Sequence, residues 1–232
     1  MKRIVVVCAI LGLAATAAAA GPAESERPEL SIGRSAQYDY DPPVPGSYAL
    51  PVIDEAGDGE VLTAEGKRAR LRDIVRGQVT ILSFIYTRCA DPRACPMATG
   101  ALFQIHGISL EDPEIARGLR LVTFSFDPEH DTPSVMAEYG GMARPGGQGS
   151  EWWFLTTRST AELEPILAGY HQRVDRKKNP LDPLGPFYHV VRVYLIDRNG
   201  MVRNIYSYGL LDPRMVLTDV RTLLMESSLA GK

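Results

Sequence analysis

The sequence predicts an α/β fold, a central mixed sheet flanked by helices that ends in a C-terminal hairpin and helix. Three observations predict it. Val79 to Tyr86 is a nearly continuous apolar run of strand-forming residues, the pattern of a central strand covered on both faces. Strand and helix patterns then alternate, which makes the first part of the sheet parallel. Finally, Asn199-Gly200 separates two strand-like runs, and that dipeptide favours a tight hairpin turn.

At the N-terminus, Lys2 and Arg3 precede an apolar run from Ile4 to Ala20, whose end offers Ala18-x-Ala20 as a small-residue cleavage site. Residues 1–20 therefore read as a secretory signal peptide. The competing reading is an uncleaved membrane anchor, because the run is only slightly shorter than the roughly 20 residues that span a bilayer. Cys8 lies inside the run behind Val7, not a small residue, and is not read as a lipid-attachment cysteine. Residues 21–46 are rich in Pro, Glu and Ser and end in Pro42-Pro43-Val44-Pro45, with no period that buries a face, so they read as a flexible arm. The folded domain is assigned to 47–228.

Within it, Cys95-Pro96 opens a helix, since Pro suits the first helical position, and Met97, Ala101, Ile105 and Ile108 follow at helical spacing. Leu119 to Phe126 is a second buried strand. Asp131-Thr132-Pro133 caps a helix carrying Val135, Met136 and Tyr139. Gly140 to Gly149 contains five glycines and reads as a mobile surface loop. Trp152 to Leu155 is a short strand, and Ser159 with Glu162 forms a capping box for a helix to about Tyr170 that Pro165 bends. His171 to Pro186 is polar and proline-rich and reads as a long loop. His189 to Ile196 and Val202 to Tyr208 form the hairpin, and Asp212-Pro213 caps a last helix with Val216, Val220 and Leu223 on its inner face.

Composition narrows the function. At 232 residues, 45% hydrophobic and 23% charged, the chain is an ordinary globular domain with terminal extras. Removing residues 1–20 leaves 23 basic against 28 acidic residues, a net charge near −5. A polyanion needs a basic patch to displace its counterions, so nucleic acid is not an expected partner. Only Cys89 and Cys95 then remain, too few for a disulfide scaffold in a domain this size, so a site is the better use for them. A cysteine pair at the end of the first central strand, entering a helix, is the thioredoxin arrangement.

Cys95 at a helix N-terminus meets free backbone N–H groups and the positive end of the peptide dipoles, which favours its thiolate. Cys89 sits six positions earlier, with Pro92 bending the chain between them. Three uses of the pair compete: ligation of a soft metal ion, for which thiolates select Cu(I) and an added imidazole suits Cu(II); reversible thiol–disulfide exchange; and an inert structural disulfide. His189 lies where a chain returning to the sheet brings a side chain beside the cysteine loop, although a strand-edge histidine is more often a packing or surface residue. Elsewhere, His106 reads as a satisfied surface histidine, His130 and His171 as solvated, Met97 as core, and Trp152 and Trp153 as core and rim. There is no hydrolytic carboxylate spacing, Cys-x-x-Cys-His haem site or phosphate loop.

Several ordered motifs carry a resemblance. Phe84-Ile85-Tyr86-Thr87-Arg88-Cys89 with Cys95-Pro96, Phe126-Asp127-Pro128-Glu129-His130-Asp131-Thr132-Pro133, Trp153-Phe154-Leu155-Thr156, and His189 ahead of Tyr194-Leu195-Ile196-Asp197 resemble the Sco/SenC family of copper chaperones, from about Tyr48 to Leu224. The resemblance implies a thioredoxin-like fold holding one copper ion, Cu(I) or Cu(II), through Cys89, Cys95 and His189, with Asp127 as a supporting or docking residue near the ligands. It also implies delivery of copper to an exported client, usually the binuclear copper centre of cytochrome oxidase, by a periplasmic or otherwise exported protein. Two departures stand out. The family spaces its cysteines by three residues where Ala90-Asp91-Pro92-Arg93-Ala94 makes five, and it places Asp before its histidine where Tyr188 stands. The alternative function is a thiol–disulfide oxidoreductase with Cys89 and Cys95 as its redox pair, which would not need His189. A third is a peroxide-reducing thiol protein, suggested by Tyr86-Thr87-Arg88-Cys89 after a strand.

Overall fold

The computed structural model of the chain describes residues 33, 37–143 and 148–230. Residues 1–20, read as a signal peptide, lie outside them, as do most of residues 21–46, read as an arm. Among the described residues, no helix is long and apolar enough to cross a membrane.

Ten strands and six helices follow in order: β1 (Asp54–Glu55), β2 (Glu60–Thr63), β3 (Arg68–Arg70), α1 (Leu71–Val75), β4 (Val79–Ile85), α2 (Cys95–Ser109), α3 (Pro113–Gly118), β5 (Leu119–Ser125), α4 (Pro133–Tyr139), β6 (Glu151–Thr156), α5 (Thr160–Gly169), β7 (Val174–Arg176), β8 (Phe187–His189), β9 (Arg192–Ile196), β10 (Met201–Ser207) and α6 (Pro213–Ala230). Eight strands form one sheet in the order β1-β10-β9-β4-β5-β6-β2-β3, and β7 pairs with β8 separately. The β4–β5 and β5–β6 pairs are parallel, and the others in the large sheet are antiparallel. The sheet is therefore mixed and flanked by helices, as the sequence predicts.

β4 is the centre. All seven of its residues are buried, so both of its faces are covered. Phe84 packs edge-on against Tyr170 after α5 and Tyr194 on β9, with ring centroids 5.2 and 5.9 Å away. α2 and α6 lie against each other and against β4. Fully buried Leu82 and Ile81 each contribute about 1.5–3 kcal/mol by leaving water, so truncating one to Ala would cost roughly 2–5 kcal/mol.

Local chemistry explains the element ends. Asp197-Arg198-Asn199-Gly200 is a turn in which Asp197 Oδ1 accepts from the N–H groups of Asn199 and Met201 at 2.9 and 3.0 Å, and Gly200 takes φ +84, a conformation that favours glycine. Ser159 caps α5 by accepting from Glu162 N, while the Glu162 carboxylate turns to Arg158 instead of completing the reciprocal bond. α5 runs through Pro165. Thr132 is the N-cap of α4 and accepts from Val135 N; Asp131, expected as part of that cap, has another task described below.

Three readings need correction. The stretch read as a long loop from His171 to Pro186 contains β7, which pairs with β8 in register Val174↔His189, Asp175↔Tyr188 and Arg176↔Phe187. β7 is only three residues long, with Val174 against the core and Asp175 and Arg176 exposed, so the stretch has no apolar period to reveal it. His106 is buried, 5% exposed, because α2 packs it onto the Trp152 ring at 5.4 Å. Packing also reaches back beyond Tyr48: Tyr38 is buried and donates to Leu211 O at 2.8 Å, and Arg214 lies over the Tyr40 ring. In the glycine-rich segment, Gly140–Ala143 forms a 3-10 turn and 144–147 lie outside the described residues.

Candidate metal centre

The C-terminal end of β4 and the N-terminus of α2 bring the two cysteines together. Cys89 N donates to Tyr86 O at 3.2 Å as the chain leaves β4. The five-residue spacer is compact: Ala94 N donates to Asp91 O at 3.0 Å and Arg93 N to Asp91 Oδ1 at 3.0 Å, with Pro92 at the position of the turn it pre-shapes. Cys95 then begins α2, 2% exposed, while Cys89 is half-buried, and both are free thiols.

His189 ends β8. Its Nε2 lies 3.6 Å from Cys95 Sγ, and one donor atom from each of Cys89, Cys95 and His189 lies within 4.8 Å of the others. Donor atoms bound at about 2.0–2.3 Å to one ion sit about 3.5–4 Å apart, so small side-chain movements suffice to close the set on an ion. Two sulfurs and an imidazole suit a soft or borderline ion, and oxygen-seeking Mg2+ and Ca2+ are excluded as good fits. Around the imidazole stand the rings of Phe126 at 5.0 Å and Tyr86 at 5.8 Å, with Phe187 packed on both of those rings. His189 Nδ1 is buried without a hydrogen-bond partner. The imidazole therefore lacks the second-nitrogen partner that usually fixes a metal-binding histidine.

The electrostatics reverse the sequence expectation for the two thiols. Cys89 is held well below the ordinary thiol range, chiefly by a hydrogen bond from Cys95, with further ones from His189 and the backbone N–H groups of Cys95 and Asp91. Cys95 is pushed up by burial and by the neighbouring Cys89. Desolvation of the nearly inaccessible Cys95 sulfur opposes the helix terminus, so the pair favours the thiolate on Cys89 and the proton on Cys95.

Two carboxylates hold the cysteine loop. Asp127, 1% exposed, accepts from Arg88 Nη2 at 2.5 Å, which puts it beside the loop carrying Cys89. Asp131, fully buried, accepts from Thr87 N at 2.9 Å and from the hydroxyls of Thr87 and Ser125, pinning the residue two before Cys89 to the end of β5. Asp131 and Tyr86 are contributors that sequence reasoning missed; a buried carboxylate looks like a helix cap when only its neighbour Pro133 is visible. His130 and His171 stay at the surface and neither joins the cluster, and Met97 is half-buried against the core. Trp152 is core and Trp153 half-buried, as expected.

The family described as SCO1/SenC matches residues 56–225. Among curated proteins, none matches the chain. Solved structures similar to it include ScoI of Bradyrhizobium japonicum with copper bound, at 21% identity and TM-score 0.59, over 73% of this chain and 99% of that one. A SCO1/SenC family lipoprotein of Bacillus anthracis is 24% identical with TM-score 0.60, over 73% of this chain and 94% of that one. BsSco, a member of the Sco family of cytochrome c oxidase assembly proteins in which a disulfide switch was identified, is 24% identical with TM-score 0.57, over 75% and 95%. At these identities the structural likeness establishes the shared fold.

Proposed function

The chain belongs to the SCO1/SenC family, and on that premise we propose that it binds one copper ion through Cys89, Cys95 and His189 and hands it to an exported copper enzyme. The observation that carries this is the convergence of two sulfurs and one imidazole from three separate elements within 4.8 Å. Thiolates favour Cu(I), and the imidazole extends the set to Cu(II). Copper-bound ScoI of Bradyrhizobium japonicum has the same fold and supports copper over zinc.

The client is a cytochrome c oxidase subunit, by analogy with the assembly role of BsSco. The protein acts outside the cytoplasm, directed there by residues 1–20, and touches the membrane only where that segment is retained. Copper leaves by ligand exchange, the client's thiolates replacing Cys89 and Cys95 through shared intermediates. Half-exposure of Cys89 supports it as the first sulfur to be exchanged.

A second reading, thiol–disulfide exchange with client cysteines, is favoured by one observation: an accessible thiolate and a buried thiol within 4.8 Å. Forming their disulfide passes two electrons and the Cys95 proton to a client disulfide, which opens to a thiol and a thiolate, and removes both copper ligands at once. The two readings separate in a transfer assay. Copper-loaded protein is mixed with a metal-free, fully reduced acceptor domain of an oxidase; copper moving to the acceptor supports delivery, and copper retained by the donor contradicts it.

A further inference from the structure

The donors of the metal centre do not hang from one sheet. Cys89 and Cys95 are fixed by β4 and α2, whereas His189 ends β8, in a two-stranded hairpin with no strand pairing to the eight-stranded sheet. Contacts of side chains and loops must therefore hold the imidazole beside the sulfurs. They converge on Tyr86, 1% exposed and three residues before Cys89.

Tyr86 bridges the two parts. Its carbonyl accepts from Cys89 N at 3.2 Å, on the thiol side. Its hydroxyl donates to Leu184 O at 3.1 Å, in the 177–186 strap that joins β7 to β8. Its ring packs edge-on against Phe187 at 5.1 Å and His189 at 5.8 Å, both on β8. The strap fits closely here: Gly185 has φ +98, and a Cβ on it would lie 2.2 Å from the Tyr86 hydroxyl oxygen. Inside the strap, Lys177 pairs with Asp182 at 3.1 Å, Lys177 N donates to Pro186 O at 2.8 Å and Gly185 N to Asp182 O at 2.8 Å, so it meets Tyr86 as a formed unit.

We propose that Tyr86 is a positioning residue that latches the β7–β8 hairpin onto the thiol frame and thereby sets the preference of the site between Cu(II) and Cu(I). This rests on the copper-binding function proposed above. The apparent affinity of an ion that needs the imidazole scales with the fraction of molecules whose hairpin is docked. Thiolates by themselves select Cu(I), whereas Cu(II) depends more on the added imidazole, so the latch acts on one oxidation state more than the other.

The test is Tyr86→Phe in the full chain, which removes only the hydroxyl. The reduced proteins are titrated with Cu(II) and, separately, with Cu(I), each against a competing chelator. Loss of one hydrogen bond should lower Cu(II) affinity by about three- to tenfold and leave Cu(I) affinity within about twofold. In the metal-free protein, amides of Val174–Arg176 and Phe187–His189 should exchange faster with solvent. Gly185→Ala, which pushes the strap off the phenol from the opposite side, should produce the same split. Equal losses for both ions, or unchanged Cu(II) affinity in both variants, overturn the proposal. If the parent binds neither ion, copper binding itself is excluded, and unchanged hairpin exchange in Tyr86→Phe then overturns the latch separately.

Discussion

Cys95 and His189 stand 94 positions apart in the chain, yet Sγ of one lies 3.6 Å from Nε2 of the other. The cysteine is held by the rigid start of α2 and the histidine by a small hairpin, so the centre exists only when the two are in contact.

His189→Ala removes the imidazole and leaves both sulfurs. Cu(II) affinity should fall by more than about tenfold, since altering even the outer partners of a metal ligand costs that much. Exchange of the Cys89–Cys95 pair with a small disulfide should remain largely intact. Titration and exchange kinetics on the same preparation check both halves.

The thiols should react in a fixed order. Cys89 is half-buried and favoured as the thiolate, while Cys95 is 2% exposed and disfavoured, so brief treatment of the reduced, metal-free protein with iodoacetamide should modify Cys89 first. Peptide mass spectrometry reads the site, and preferential labelling of Cys95 would contradict the assignment.

Asp131 should be a stability determinant as well as a support for the Cys89 loop. Asp131→Ala leaves the backbone N–H of Thr87 and two hydroxyls without their acceptor in a dry environment. The cost should be about 2–5 kcal/mol in urea unfolding, with Thr87→Val costing about 1–3 kcal/mol because it removes part of the same set.

His106 should give the fold an acid-sensitive component. Burial lowers its pKa below the ordinary 6.5, so the unfolded chain takes up a proton that the folded chain resists. Its contribution is complete above the unfolded value and is lost as pH falls below it, with a slope of at most about 1.4 kcal/mol per pH unit until the folded group also protonates. Unfolding at pH values on either side of 6.5 should show that slope in the parent and a flatter one in His106→Gln.

These particulars mark where a sequence is readable. β4 and β5 announce themselves because strands buried on both faces are apolar throughout, and Cys95-Pro96 because Pro suits a first helical turn. The three donors are legible as residue types, but their convergence depends on a hairpin whose short β7 strand is mostly charged and puts only Val174 against the core. Asp127 was placed near the site, yet its partner Arg88 is a matter of loop geometry. The thiolate assignment went to Cys95 because position in a helix is visible in sequence and desolvation is not. His106 looked like a surface residue for the same reason, its burial being set by Trp152 from a distant strand.

The most direct measurement is titration of the reduced chain with Cu(II), following absorption in the thiolate-to-copper charge-transfer region. The predicted result is a band that saturates at one equivalent and disappears in both Cys89→Ser and Cys95→Ser. No binding by the parent, or a band that survives loss of both sulfurs, would contradict a copper centre built on these residues.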